Sequence, residues 1–170
     1  MAQLLPVDEF DLIIFGGTGD LAMRKLLPAL YHRDLDKQFT GASRIISVGR
    51  SKLSRARYLE SVETALRANL AEGEFDAAFW KTFSARVEYH QVDASSPANW
   101  DSLVKTLGGK EERIRVAYLA TAPSLFGPIS KGLRQNSLVT GNSRIVLEKP
   151  LGHDHESAKA INDEVGVCFA

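Results

Sequence analysis

Leu12-Ile13-Ile14-Phe15-Gly16-Gly17-Thr18-Gly19-Asp20-Leu21-Ala22 joins an apolar, strand-like run to a tight glycine cluster that opens directly onto a helical pattern. Glycines at a strand-to-helix turn let the main chain take conformations closed to other residues and approach a ligand closely, while the free N–H groups of the following helix face an anion. The stretch reads as a phosphate cradle, with Ala22 small enough to keep helix and strand together. Its spacing fits either Gly17-x-Gly19-x-x-Ala22 or Gly16-x-x-Gly19-x-x-Ala22, both of which satisfy the dinucleotide fingerprint in its Gly/Ala form. A glycine turn of purely structural origin is the competing reading, and the remainder of the chain decides between them.

Outward from this stretch, strand-like runs alternate with helical patterns to the end of the chain, the signature of an α/β parallel sheet. Five strands are expected, at Leu12–Phe15, Arg44–Val48, Val87–Val92, Arg115–Ala120 and Ser143–Leu147. Helices are expected over Leu21–Tyr31, Ser54–Leu70, Phe75–Phe83, Pro97–Leu107, Leu125–Gln135 and His155–Val165, where apolar residues recur at intervals of three and four. Ser54 and Ser96 suit the cap position, the latter with Pro97 as first helical residue. Right-handed crossovers then give a doubly wound, Rossmann-like sheet with a ligand crevice at the switch point, near the carboxyl ends of strands one and four. A complete two-half fold has six strands, so five point to a truncated or partial gene product.

The 170 residues make one domain spanning 1–170 and leave no room for a second. Lys plus Arg equals Asp plus Glu, and no basic block appears, which argues against a nucleic-acid partner. Attraction for an anionic ligand must therefore be local. The single cysteine, Cys168, permits no internal disulfide, and neither a leader nor a long apolar span begins the chain, so a reducing cytoplasm and no membrane association are expected. Cys168 reads as a small apolar residue rather than a catalytic thiol, and no Cys/His cluster has metal-ligand spacing.

At the end of the second strand a coenzyme with a free ribose 2′-hydroxyl would meet an Asp or Glu, and one with a 2′-phosphate an Arg. The chain runs Ser47-Val48-Gly49-Arg50-Ser51-Lys52. Arg50 offers a planar, permanent cation, Ser51 a hydroxyl and Lys52 further positive charge, a set that selects NADP over NAD. Arg50 lies about thirty residues beyond the glycines instead of the usual twenty, a difference a polar insertion over His32–Ala42 accounts for. After strand four, Ala120-Thr121-Ala122-Pro123 is a small-residue turn where a ribose and nicotinamide would pass. Strand five ends Glu148-Lys149-Pro150, and the proline holds Lys149 extended at the sheet edge, facing the site.

Together, Gly-Gly-Thr-Gly-Asp-Leu-Ala with Arg24-Lys25-Leu26-Leu27-Pro28-Ala29-Leu30 behind it, Gly49-Arg50-Ser51, Tyr118-Leu119-Ala120 and Glu148-Lys149-Pro150-Leu151-Gly152 resemble the N-terminal coenzyme domain of bacterial glucose-6-phosphate dehydrogenases. The resemblance covers essentially the whole chain. It implies oxidation of glucose 6-phosphate to 6-phosphogluconolactone with hydride passed to NADP, the first step of the pentose phosphate pathway. It also implies a missing sixth strand and a missing C-terminal α+β substrate domain, with the contacts of any homo-oligomeric dimer mainly in that missing part. In its terms Gly16, Gly17, Thr18, Gly19, Asp20, Leu21, Ala22 and Met23 form the phosphate loop, Arg50 and Ser51 hold the 2′-phosphate, and Asp93 with Ala94 lies beside the adenosine. Ala120 borders the nicotinamide, Lys149 contacts both sugar and coenzyme, and Pro150 is a hinge.

Two departures stand out. Ala122 replaces the first of two prolines common in the family after strand four, which loosens that turn. The family's Arg-Ile-Asp-His-Tyr-Leu-Gly-Lys-Glu segment, and the histidine base further on, are expected beyond Ala170. None of His32, His90, His153 and His155 matches them, so no catalytic residue is assigned, and the isolated chain is expected to bind NADP without turnover, because hydride removal from an alcohol needs a positioned base. The alternatives are an inositol or glucose-fructose oxidoreductase-type fragment, against which the Gly-Asp-Leu-Ala loop and Arg50 argue, and a non-catalytic NADP-binding or assembly module.

Overall fold

A computed structural model describes residues 5–96 and 99–169. Five strands, β1 (Phe10–Phe15), β2 (Arg44–Gly49), β3 (Val87–Gln91), β4 (Ile114–Leu119) and β5 (Ser143–Leu147), form one sheet in the order β3-β2-β1-β4-β5. Every pairing is parallel. The chain winds outward from β1 to β3, returns to the other side of β1, and winds outward again through β4 and β5. This reversal between β1 and β4 opens a crevice at their carboxyl ends.

The helices α1 (Leu27–Leu35), α2 (Arg55–Asn69), α3 (Ala77–Arg86), α4 (Asp101–Leu107), α5 (Phe126–Gln135) and α6 (His155–Phe169) cover the two faces. Successive side chains of a strand point to opposite faces, and the central strands serve two cores accordingly. Ile14 and Ile45 pack with Ala22, Leu27, Tyr31, Tyr58, Val62, Leu66 and Phe83 under α1–α3. Ile13, Phe15 and Ile46 pack with Trp100, Leu103, Phe126, Ile129, Leu133 and Val165 under α4–α6. Burying such a side chain contributes roughly 1.5–3 kcal/mol, and two filled faces explain why β1 and β2 read as nearly continuous apolar runs. On the α1–α3 side, β4 and β5 leave Ile114 and Val146 exposed.

Several boundaries differ from expectation for identifiable reasons. β1 begins at Phe10 because the polar Asp11 is wholly buried, its carboxylate bound by the Arg44 guanidinium through two contacts of 2.8 Å. The first helix opens as a π turn, Ala22–Leu26, with Leu27 N–H bonded to the Ala22 carbonyl. Pro28, which has no N–H to continue an α ladder, follows at once. The helix then runs to Leu35, so the expected polar insertion from His32 is in part an extra helical turn. Ser54 caps α2, accepting from Arg57 N–H at 3.2 Å. Asp76 caps α3 by accepting from Ala78 and Phe79 N–H, which moves that helix two residues past Phe75. The helix expected over Pro97–Leu107, with Ser96 as its cap, is described from Asp101, with Trp100 at its cap position, and Pro97 lies outside the described residues. Before α5, Pro123–Leu125 forms a short 3-10 turn.

Candidate functional site, a cleft at the switch point

A cavity of about 380 Å³ lies over the carboxyl ends of β1, β2 and β4. Its floor is the glycine loop. Gly16 and Gly17 N–H both bond the Val48 carbonyl at 3.0 Å, Gly19 N–H bonds the Gly16 carbonyl at 2.9 Å, and Met23 N–H bonds the Gly19 carbonyl at 3.0 Å. The loop is thus sewn to β2 on one side and to its own helix on the other. Gly16 has φ +84°, and a β-carbon there would come within 2.3 Å of the Ala120 carbonyl oxygen, so only glycine fits between β1 and β4. The first turn of the following helix starts at this loop, where N–H groups without preceding partners favour an anion.

Among the residues expected at the site, Gly16, Thr18, Gly19, Arg50, Asp93 and Ala94 all line the cavity. The others fall around it. Gly17 abuts Ser47 of β2, Ala22 is wholly buried in the helix-packing core, and Asp20 is exposed and paired with Arg24 at 3.4 Å. Leu21 and Met23 are half-buried in the first helical turn, and Ser51 is exposed just past the cavity. The Ala120 N–H bonds the Phe15 carbonyl at 2.9 Å. Lys149 is exposed beyond β5, joined to Pro150 by a cis peptide bond, and lies outside the cavity lining.

The lining also includes residues not singled out from sequence. Beside Thr121 and Ala122 of the small-residue turn expected after β4, Val48, Gly49 and Val92 end or follow their strands, and Ser95 belongs to the loop after β3. The rule that ligands of such sheets sit beyond the carboxyl ends of the strands could have found these. Leu125 and Ile129, from the turn and helix after β4, close the apolar side and carry no local signal beyond helical spacing.

The electrostatics favour an anion at one end. Asp93 accepts from the Ser95 hydroxyl at 2.6 Å and the Ser95 N–H at 3.0 Å. These bonds, and then the Arg50 charge, hold its carboxyl below the ordinary value, so Asp93 is engaged in its own turn. Arg50 is the cation in the lining. Beneath it, burial pushes the Tyr58 phenol far above its ordinary value and the Tyr89 phenol upward, keeping both as hydrogen-bond donors.

The glycine-floored cleft, at the reversal point of a doubly wound parallel sheet, defines a dinucleotide-binding α/β domain. Residues 13–170 match the family model described as glucose-6-phosphate dehydrogenase, NAD binding domain. The chain is 47% identical over 168 residues to the glucose-6-phosphate 1-dehydrogenase of Rhizobium meliloti, covering 99% of this chain and 34% of that protein. It is 47% identical over 169 residues to the enzyme of Mycolicibacterium smegmatis, with 97% and 34% covered. Among solved structures, glucose-6-phosphate 1-dehydrogenase from Mycobacterium avium superposes with a TM-score of 0.86 at 29% identity, over 96% of this chain and 34% of that one. A glucose-6-phosphate dehydrogenase in complex with its substrate glucose-6-phosphate superposes with a TM-score of 0.82 at 30% identity, over 100% and 36%. The chain belongs to the glucose-6-phosphate dehydrogenase family, in the region of its coenzyme-binding domain, and spans about a third of the length of the relatives it matches. Among the described residues no helix is long and apolar enough to cross a membrane.

Proposed function

We propose that this chain is the coenzyme-binding part of a glucose-6-phosphate 1-dehydrogenase of the cytoplasm and that it takes NADP. One observation carries the reading: Arg50 and the glycine loop line a single cavity, with an arginine where an NAD site would place a carboxylate at the end of β2. Gly16, Gly17, Thr18 and Gly19 approach the diphosphate, aided by the start of the helix from Asp20 to Met23. Arg50 and Ser51 hold the 2′-phosphate, Asp93 and Ala94 flank the adenosine, and Ala120 borders the nicotinamide side. Bound there, the coenzyme supplies the hydride acceptor for oxidation of glucose 6-phosphate at C1. Lys149 faces the sugar from the end of β5.

Titration of the chain and of its Arg50→Ala variant with NADP⁺ and NAD⁺ tests the reading. Loss of a charge-assisted phosphate contact is expected to weaken NADP⁺ by about 10- to 100-fold and to leave NAD⁺ nearly unchanged. An equal loss for both coenzymes, or no binding of either by the unaltered chain, overturns it.

A further inference from the structure

The segment Gly49-Arg50-Ser51 leaves β2 with three successive carbonyls held by the next strand. Val92 N–H bonds the Gly49 carbonyl at 2.9 Å, Gln91 Nε2 bonds the Arg50 carbonyl at 3.1 Å, and the Tyr89 hydroxyl bonds the Ser51 carbonyl at 2.6 Å. Carbonyl oxygens carry partial negative charge and would repel a phosphate. Tied toward β3, they leave the opposite side of the segment to cationic and donor groups.

The Tyr89 ring also stacks on Tyr58 of α2, with centroids 4.7 Å apart and planes at 24°. Tyr58 reaches the other half of the site: its hydroxyl oxygen lies 2.8 Å from the Gly17 carbonyl and 2.6 Å from Ser47 Oγ. With one proton to give, it donates to the carbonyl and accepts from the serine. Tyr58 is wholly buried and Tyr89 nearly so, so neither ring has room to shift without the other. The two loops meet directly as well, since a β-carbon on Gly49 would sit 3.3 Å from Thr18 Oγ1 and 3.0 Å from the Tyr89 hydroxyl.

We propose that Tyr58 and Tyr89 are a pair of positioning residues that fix the glycine loop and the Arg50 segment in one mutual register, so that the hold on the diphosphate is set through Tyr58 and the preference for a 2′-phosphorylated dinucleotide through Tyr89, both from beneath the cleft. The inference rests on the coenzyme reading above and deepens it. Tyr89 acts on the 2′-phosphate segment alone, and Tyr58 acts on the diphosphate loop that every nicotinamide dinucleotide uses. Their stack makes the two effects interdependent.

The test is titration of Tyr89→Phe, Tyr58→Phe and the double variant with NADP⁺ and NAD⁺, with the ligand-free melting temperature of each as a folding control. Phenylalanine keeps the stack and removes only the hydroxyl. Tyr89→Phe is expected to weaken NADP⁺ about 5- to 10-fold and NAD⁺ less than about 2-fold, the loss of one hydrogen bond. Tyr58→Phe is expected to weaken both coenzymes by a similar factor. In the double variant the NADP⁺ loss departs from the product of the single losses by about 3-fold or more, as expected for residues in contact. Gln91→Leu, which frees the Arg50 carbonyl without touching the stack, reproduces the NADP⁺-selective loss and serves if Tyr58→Phe does not fold. NADP⁺ affinity unchanged in Tyr89→Phe, or lost equally with NAD⁺, overturns the pairing while the coenzyme reading stands. Absence of any NADP⁺ preference in the unaltered chain overturns both.

Discussion

Gly17 and Ser47 are in such close contact that a β-carbon on the glycine would lie 2.6 Å from Ser47 Cβ. The glycine loop therefore rests on the middle of β2, and its height above the sheet is set by the absence of a side chain at Gly17 and the smallness of the one at Ser47. Gly17→Ala is expected to cost about 1–3 kcal/mol through overpacking and to weaken coenzyme binding by displacing the loop. Because the clash is with Cβ, Ser47→Gly restores part of the loss in the double variant and Ser47→Ala does not. Coenzyme titration and urea unfolding of the three variants check this, and equal behaviour of the two double variants would contradict it.

At the opposite end of the sheet, Asp11 is a buried anion shared by arginines from neighbouring strands. Arg44 of β2 binds it with two contacts of 2.8 Å, and Arg113, just before β4, approaches to 3.5 Å. Removing the carboxylate strands buried positive charge, so Asp11→Asn is expected to lose about 3–5 kcal/mol, whereas replacing Asp11 and Arg44 together by apolar residues of similar volume costs far less. The measurement is the unfolding free energy in urea. A loss for the double variant as large as for Asp11→Asn would contradict the assignment.

The Tyr118 hydroxyl of β4 donates to Glu148, the residue before Lys149. Burial first, then this hydrogen bond and the Glu148 charge, push the phenol up to about 12 from an ordinary value of 10.0. Since the folded value lies above the unfolded one, the stabilisation is fully present below pH 10 and is lost as pH rises through about 12. Ultraviolet titration, with Tyr118→Phe identifying the signal, is expected to show Glu148→Gln moving this ionisation downward, toward the ordinary phenol. An unmoved titration in that variant would show that Glu148 does not control Tyr118.

Much of the architecture was legible because it is encoded locally. Phe15 followed by Gly16 marks the end of β1 whatever lies beside it, and the apolar runs at Ile45-Ile46 and Val116-Ala117 announce strands, of which only β2 is buried on two faces. Boundaries shifted where another side chain changed a local rule. Asp11 reads as polar and outside the strand until Arg44 and Arg113 neutralise it, and Phe75 reads as helical until Asp76 takes the cap. Pro28 was visible, but its effect, a π turn upstream, depends on how the ladder rearranges around a missing donor.

The candidate cleft divides in the same way. The glycine loop and Arg50 were legible, since each is a residue type suited to phosphate at the end of a strand. The closing residues Leu125 and Ile129 were not, because an apolar residue on a helix says nothing of what it faces. The amino-acid order by itself determined which segments become strands, where the chain must turn tightly, and which cation ends β2. Tertiary structure alone decided that Tyr58 supports one loop and Tyr89 the other, that Gly17 needs Ser47 to be small, and that Asp11 can be buried. These partners are far apart along the chain, and their contact energies exist only after the strand order β3-β2-β1-β4-β5 has brought them together.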